Sequence, residues 1–479
     1  MAKRREPIII QGGMGVAVSA WPLARAVALA GQLGVVSGTA LDVVLARRLQ
    51  LGDLGGHMRR ALAEFPYPEM AKRILRRFFI PEGKKAEQRF RPVELPSLTP
   101  SPEQTELVVA ANFVEAHLAG EGHRGLIGVN FLEKIQLPTL ASLYGAMLAG
   151  VDYVLMGAGI PRWIPGVLDR LSQGQAAELP IQAPGDAVVS RFDPSTFGGG
   201  PPPALKRPKF LAIVASAALA SMLSRKASGS VEGFVVEGPS AGGHNAPPRG
   251  PAAFNKRGEP VYGPRDEVDL AAMRALEKPF WLAGSYGSSR RIVEALESGA
   301  AGVQVGTAFA FCRESGLRED LKRRALAMSR TGAVDVITDP VASPTGFPFK
   351  VLQLDGTLSQ DDVYAQRERV CDLGFLRHSY RRADGSLGWR CPGEKVSAYV
   401  QKGGDVAETT GRKCICNALL ANVGLAQVRR DGWVEPPLVT CGDEVREIAR
   451  FSRKASGEIY SARDVIQDLL SDVAATASC

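Results

Sequence analysis

The chain has 479 residues, 45% of them apolar and 23% charged, with a net charge of +8. That is an ordinary soluble globular mixture, long enough for two or three domains or one large barrel with additions. The longest apolar run, "FLAIVASAALASML", falls short of the roughly 18 residues a membrane span needs. The apolar stretch after "MAKRRE" is too short for the core of a secretion signal, so the expectation is a cytoplasmic protein with no membrane role.

Short β-rich runs recur along the first three hundred residues, each followed by a helical pattern. In chain order they are "PIIIQ" (7–11), "LGVVSG" (33–38), "LIGVNF" (126–131), "DYVLMG" (152–157), "FLAIVAS" (210–216), "GFVVEG" (233–238), "FWLAG" (280–284) and "GVQVGT" (302–307). Continuous apolar strands alternating with helices predict a parallel sheet covered on both faces. The helical patterns at 19–31 and 288–299 each open with a serine, Ser19 and Ser288, placed to cap the helix. Eight such units predict a closed (β/α)8 TIM barrel over residues 1–330, ahead of a doubly wound open sheet.

Three stretches are too long for plain connections. Residues 42–123 follow the second strand, carry helical pieces of their own, and are expected to form a lid on the C-terminal face. Residues 183–208 precede the fifth strand and are expected as a structural loop at the opposite end. Residues 245–266 follow the sixth strand on the site face. Residues 331–479 are left over as a C-terminal extension holding most of the cysteines.

In such a barrel the site forms from loops at the C-terminal ends of the strands. "QGGMG" leaves strand one, Asn130 ends strand three, and His244 follows strand six behind a Gly-Gly pair. Gly284-Ser285 and Gly306-Thr307 end strands seven and eight. Two glycine turns on adjacent strands can aim backbone N–H groups at a phosphate. An imidazole at a strand end can exchange a proton near neutrality, and glycines before it let the chain pass close to a flat ring. Arg249, on the same loop, could pair with a nitro, carboxylate or phosphate group of a substrate, or be merely solvated.

The stretches "PIIIQGGMG", "GVNF" (128–131), "EGPSAGGH" (237–244) and "AGSYG…GAAGVQVGT" (283–307) resemble the nitronate monooxygenase (2-nitropropane dioxygenase) family of FMN-dependent TIM barrels. That family also includes FMN-dependent enoyl reductases. The resemblance runs over roughly residues 7–312 and implies an FMN-dependent oxidoreductase. It implies that Gln11, Gly12, Gly13 and Met14 line the flavin, with Gly243 passing close to it. Asn130 would hydrogen-bond the flavin, while Gly284, Ser285, Gly306 and Thr307 would hold its phosphate with Gln304 nearby. It makes His244 the catalytic acid or base. Ser285 stands where the family often has glycine, and the loop after His244 is longer than usual.

The leading function is oxidation of a nitronate or related carbanion-stabilised substrate with O2. The alternative is an NAD(P)H-dependent enoyl-thioester reductase, for which the basic surface would suit an acidic acyl carrier protein. No long basic run or aromatic-glycine motif points to nucleic acid, and the oligomeric state stays open. In the extension, Cys371, Cys391, Cys414 and Cys416 fall within 46 residues. Four thiols suit a zinc ion or an iron–sulfur cluster, although the spacing lacks paired C-x2-C knuckles, and the other reading is four unrelated thiols. Cys441 and Cys479 read as incidental.

Overall fold

The computed structural model describes residues 6–185, 188–453 and 457–476, so Cys479 lies outside the described residues. Each apolar run becomes a parallel strand: Ile9–Gln11, Gly34–Ser37, Ile127–Leu132, Tyr153–Gly157, Lys209–Val214, Gly233–Glu237, Phe280–Ala283 and Gly302–Val305, here strands one to eight. They pair in the order 1-8-7-6-5-4-3-2. Strands one and two close the remaining seam through Gln11 N–H on Leu33 O (3.0 Å) and Leu33 N–H on Ile9 O (3.1 Å). The fold is the expected (β/α)8 barrel.

Strand alternation sets the interior. Ile10, Val35, Leu155, Leu211, Val235 and Trp281 fill the barrel as one cluster, and Trp281 Nε1 donates to Pro7 O (2.8 Å). Two residues further along the same strands, Gly12, Ser37, Gly157, Ile213, Glu237 and Ala283 face the same way above that plug. All six line a cavity at the C-terminal mouth.

The helical layer departs from expectation in several places. Ser288 caps Ser289–Glu297 by accepting from Arg291 N–H (3.4 Å), but Trp21–Leu29 starts from Ala20 without a side-chain cap. Segment 42–123 forms no lid, since none of its residues lines the cavity. Its longest helix, Pro102–Gly120, is buried nearly all round and packs against Trp21–Leu29 and Thr139–Leu148. Its buried polar groups are paired with neighbours: Glu106 accepts from Arg73, Glu115 accepts from Trp21 N–H, and Gln104 donates to Asp42. The stretch around 183–208 includes part of a hairpin of Ala177–Ile181 with Val188–Phe192. Gln182, where the first strand of the hairpin ends, sits at the site end, not the opposite end: its N–H donates to Gln136 Oε1 (2.8 Å), just beyond strand three.

The extension does not stand apart as an added unit. It crosses the barrel mouth with the hairpin Val336–Asp339/Phe349–Leu352 and a second hairpin, His378–Arg381/Leu387–Arg390. It then returns to the wall. Helix Ala462–Leu469 packs against Trp21–Leu29 and Ser289–Glu297, the helices after strands one and seven, and so takes the eighth helical place.

Candidate active site

A cavity of about 210 Å³ opens at the C-terminal ends of the strands. Every cofactor residue expected from the sequence lines it except Gln11: Gly12, Gly13, Met14, Asn130, Gly243, Gly284, Ser285, Gln304, Gly306 and Thr307, together with His244.

Gln11 instead builds the loop behind the wall. Its amide donates to Gly12 O (2.5 Å) and Ser19 Oγ (2.9 Å), and its Oε1 accepts from Val35 N–H (3.1 Å). Ser19 Oγ donates to Gly12 O (3.0 Å) and accepts from Met14 N–H (3.0 Å). The serine expected as a helix cap therefore fixes the turn of the "QGGMG" loop. Gly13 lies hard against strand three, where an added Cβ would come within 2.4 Å of Asn130 Cβ. Only glycine fits there.

The two turns on strands seven and eight lie side by side. Gly284 (φ +92°) and Ser285 (φ +58°) both take the left-handed region. A Cβ on Gly284 would approach Ser240 Oγ to 3.0 Å and Gly238 O to 3.1 Å. The extension roofs this corner: Gly442 N–H donates to Thr307 Oγ1 (2.8 Å), and Gly243 N–H donates to Thr440 Oγ1 (2.9 Å). On the floor, Gln304 Oε1 is buried without a hydrogen-bond partner among the described residues.

His244 is held by the extension as well. It bridges to Phe349, its ring meets that of Phe349 edge-on at 4.8 Å, and Nε2 lies 2.6 Å from Ser343 Oγ. Burial lowers its pKa to about 4. Near neutrality the ring is therefore neutral.

Two acidic groups escaped that reading. Glu237 ends strand six facing inward, and burial raises its carboxyl to about 7. Glu444 lines the cavity from the extension, accepts from Gly287 N–H, and is also raised by burial. Glu237 was findable, being two residues beyond the inward-facing Val235 on an otherwise apolar strand. Glu444 was not, because no local pattern ties residue 444 to the barrel mouth.

Arg249 does not reach the cavity. It is exposed, and its guanidinium is taken up by the carbonyls of Arg265 (2.7 Å) and Ala215. The four cysteines do converge, around a separate gap of about 10 Å³. Among the described residues, however, no three His, Cys, Asp or Glu side chains are arranged to hold a metal ion. The Cys414 thiol is occupied by Asn417 Nδ2 (3.5 Å) and Val370 O (3.8 Å).

The family model described as nitronate monooxygenase matches residues 195–343, the stretch that carries strands five to eight, His244 and Ser343. The resemblance read from the sequence thus has an independent match over that stretch, which supports an oxidoreductase. No curated protein matches the chain. Among solved structures it is similar to FabK from Thermotoga maritima, at 16% identity and TM-score 0.49 over 99% of this chain and 94% of that one. Nitroalkane oxidase from Streptomyces ansochromogenes is similar at 15% and 0.48, over 98% and 97%. The enoyl reductase domain of MlnA from Bacillus amyloliquefaciens is similar at 11% and 0.48, over 99% and 96%. No helix among the described residues is long and apolar enough to cross a membrane.

Proposed function

We propose that the cavity holds FMN and that the chain is a cytoplasmic FMN-dependent oxidoreductase of nitronates or similarly carbanion-stabilised substrates, with O2 as electron acceptor. The fit rests on the unpartnered Gln304 Oε1 and on the turns at Gly284 and Gly306, which line the same cavity from adjacent strands. FMN, when bound, supplies the two-electron chemistry. Gly12–Met14 form the wall against its ring, Asn130, Gly243 and Gln304 border it, and Ser285 and Thr307 complete the phosphate corner. Where the substrate enters as the neutral acid, His244 would take the proton from the carbon beside the electron-withdrawing group, a step that a preformed nitronate does not need, and Ser343 holds the ring in place.

The observation that carries this reading is His244 on the cavity wall, half-buried and held with Nε2 2.6 Å from Ser343 Oγ. The enoyl-thioester reductase alternative, drawing on NAD(P)H and an acyl carrier protein, needs a proton donor. Glu237, protonated up to about pH 7, favours it on that point alone. Anaerobic stopped-flow mixing of the yellow protein with a nitronate, and separately with NADPH, discriminates. Bleaching by the nitronate supports the first reading and bleaching by NADPH alone overturns it. With the neutral nitroalkane as substrate, His244→Asn should keep FMN and lose on the order of 100-fold in turnover; unchanged turnover on it would remove the base assignment.

A further inference from the structure

A second cavity, of about 330 Å³, opens where helix Leu41–Gln50 meets residues 89–93 and the extension, and it shares no lining residue with the active cavity. Three of the side chains around it are arginines, Arg47, Arg89 and Arg91. Amide side chains fix its wall from two directions. Gln427 accepts from Phe90 N–H (2.8 Å) and donates to Phe90 O (3.2 Å), while Gln50 accepts from Arg91 N–H (2.6 Å). The clamped backbone carries Arg89 and Arg91 as the two neighbours of Phe90.

Arg47 is only 4% exposed, and its guanidinium lies over the Phe90 ring (5.0 Å). Its one hydrogen bond runs from Nη1 to Leu425 O (2.5 Å), so the Nε–Nη2 edge has no partner among the described residues. That is the edge with which Arg367 grips Glu435 (2.7 and 2.9 Å). The two carboxylates whose charge reaches Arg47, Asp372 and Glu435, are already matched. Glu435 holds Arg367 and Arg429, and Asp372, which lines the cavity, holds Arg429 and Asn417. Desolvation lowers the Arg47 pKa only to about 10, so the group stays charged near neutrality. A buried charge is ordinarily paired, and this one faces open space instead.

We propose that this cavity binds a phosphoryl group, free or on a small ester, with the Nε–Nη2 edge of Arg47 as its bidentate anchor and Arg89 and Arg91 as flanking charges. The inference goes beyond the flavin reading and does not depend on it. The planar fork of a guanidinium matches two oxygens of a phosphate, and a dianion offsets more of three positive charges than a carboxylate does. Arg89 is exposed and makes no hydrogen bond or ion pair among the described residues. Arg91 gives only Nη1 to Arg77 O (2.6 Å) beside its backbone contact. Both have donors to turn onto the ligand. A phosphoryl group held there joins the barrel's second helix to residues 89–93, so it stabilises the fold that binds it.

The test is isothermal titration of the full-length protein as purified, freed of unbound flavin, at neutral pH and constant ionic strength. The titrants are inorganic phosphate, glycerol phosphate, acetate and chloride. Phosphate should bind at one site per chain and raise the melting temperature. Arg47→Gln should weaken it about tenfold or more. Arg89→Ala, which removes no hydrogen bond or ion pair, should weaken it by a smaller factor and leave flavin content and phosphate-free melting unchanged. Tighter binding of glycerol phosphate than of phosphate would place the group on an ester, and equal binding would identify the free ion. No binding of either, acetate or chloride binding as tightly as phosphate, or parent affinity in both arginine variants would overturn the proposal. The last outcome would put the phosphate elsewhere, including at the glycine turns. Where Arg47→Gln fails to fold, Arg89→Ala decides.

Discussion

Burial acts in opposite senses on His244 and Glu237, which both line the cavity. His244 is lowered from 6.5 to about 4. The unfolded chain therefore takes up a proton that the folded one refuses, and stability falls as pH drops from about 6.5 toward 4. Glu237 is raised from 4.5 to about 7. Its folded form keeps a proton that the unfolded chain gives up, so stability is full below about pH 4.5 and falls as pH rises through 7, by about 3 kcal/mol. Glu237→Gln removes that second loss. Melting of the cofactor-free protein across pH should show the variant ahead of the parent at pH 8, with the gap closing near pH 4.5. Equal midpoints at pH 8 would mean that the carboxylate is ionised and stabilised in the fold. Ser285 makes a separate point. Its φ of +58° is a conformation that costs a residue with a Cβ about 1 kcal/mol relative to glycine. Ser285→Gly should raise stability by roughly that amount while FMN stays bound; a loss of FMN would show that the hydroxyl, and not only the backbone, holds the phosphate.

At the scale of elements, the loop after strand one depends on one hydroxyl. Ser19 Oγ joins Gln11, Gly12 and Met14 and is fully buried. Ser19→Ala takes the partner of the half-buried Met14 N–H and one of the two acceptors of the buried Gln11 amide, at a cost of about 1–3 kcal/mol. Fluorescence titration of the apoprotein should then show FMN binding weakened about tenfold or more. Unchanged binding would mean that the loop is fixed by its contacts with Asn130 instead. The same residue shows where sequence reading stops. A serine ahead of a helix looks alike whether it caps the helix or, as here, turns back to pin the preceding loop. The eight strands were legible because parallel strands covered on both faces are continuous apolar runs, and the glycine turns because they sit at strand ends. Counting by twos from the interior residues would have added Ser37 and Glu237. The lid was misplaced because segment 42–123 looks like a cover by length, while the residues that roof the site, Thr440 and Gly442, sit in an unpatterned loop. For the cysteines, proximity was legible but geometry was not. Spacing along the chain carries no information on where Asn417 points.

For the whole molecule, the chain after residue 330 is part of the barrel's construction. Helix Ala462–Leu469 buries Val465, Ile466 and Leu469 in the gap between the first and seventh barrel helices, and Tyr460 OH donates to Ala308 O (2.7 Å) just beyond strand eight. Each such apolar side chain contributes about 2 kcal/mol, so losing the three removes about 6 kcal/mol, a large part of the roughly 5–15 kcal/mol that keeps a domain folded. Truncation at residue 330 also takes away Ser343 and Phe349 from His244, and Thr440 and Gly442 from the corner at Gly243 and Thr307. A fragment of residues 1–330 should therefore fail twice: circular dichroism should show no cooperative melting, and no FMN should be retained. A chain ending at 453 separates the two failures. It keeps the roof and loses the wall helix, so it should still show FMN binding at low temperature while melting well below the parent. A soluble, yellow 1–330 fragment with a sharp melting transition would show the barrel to be self-sufficient and the extension a separable module.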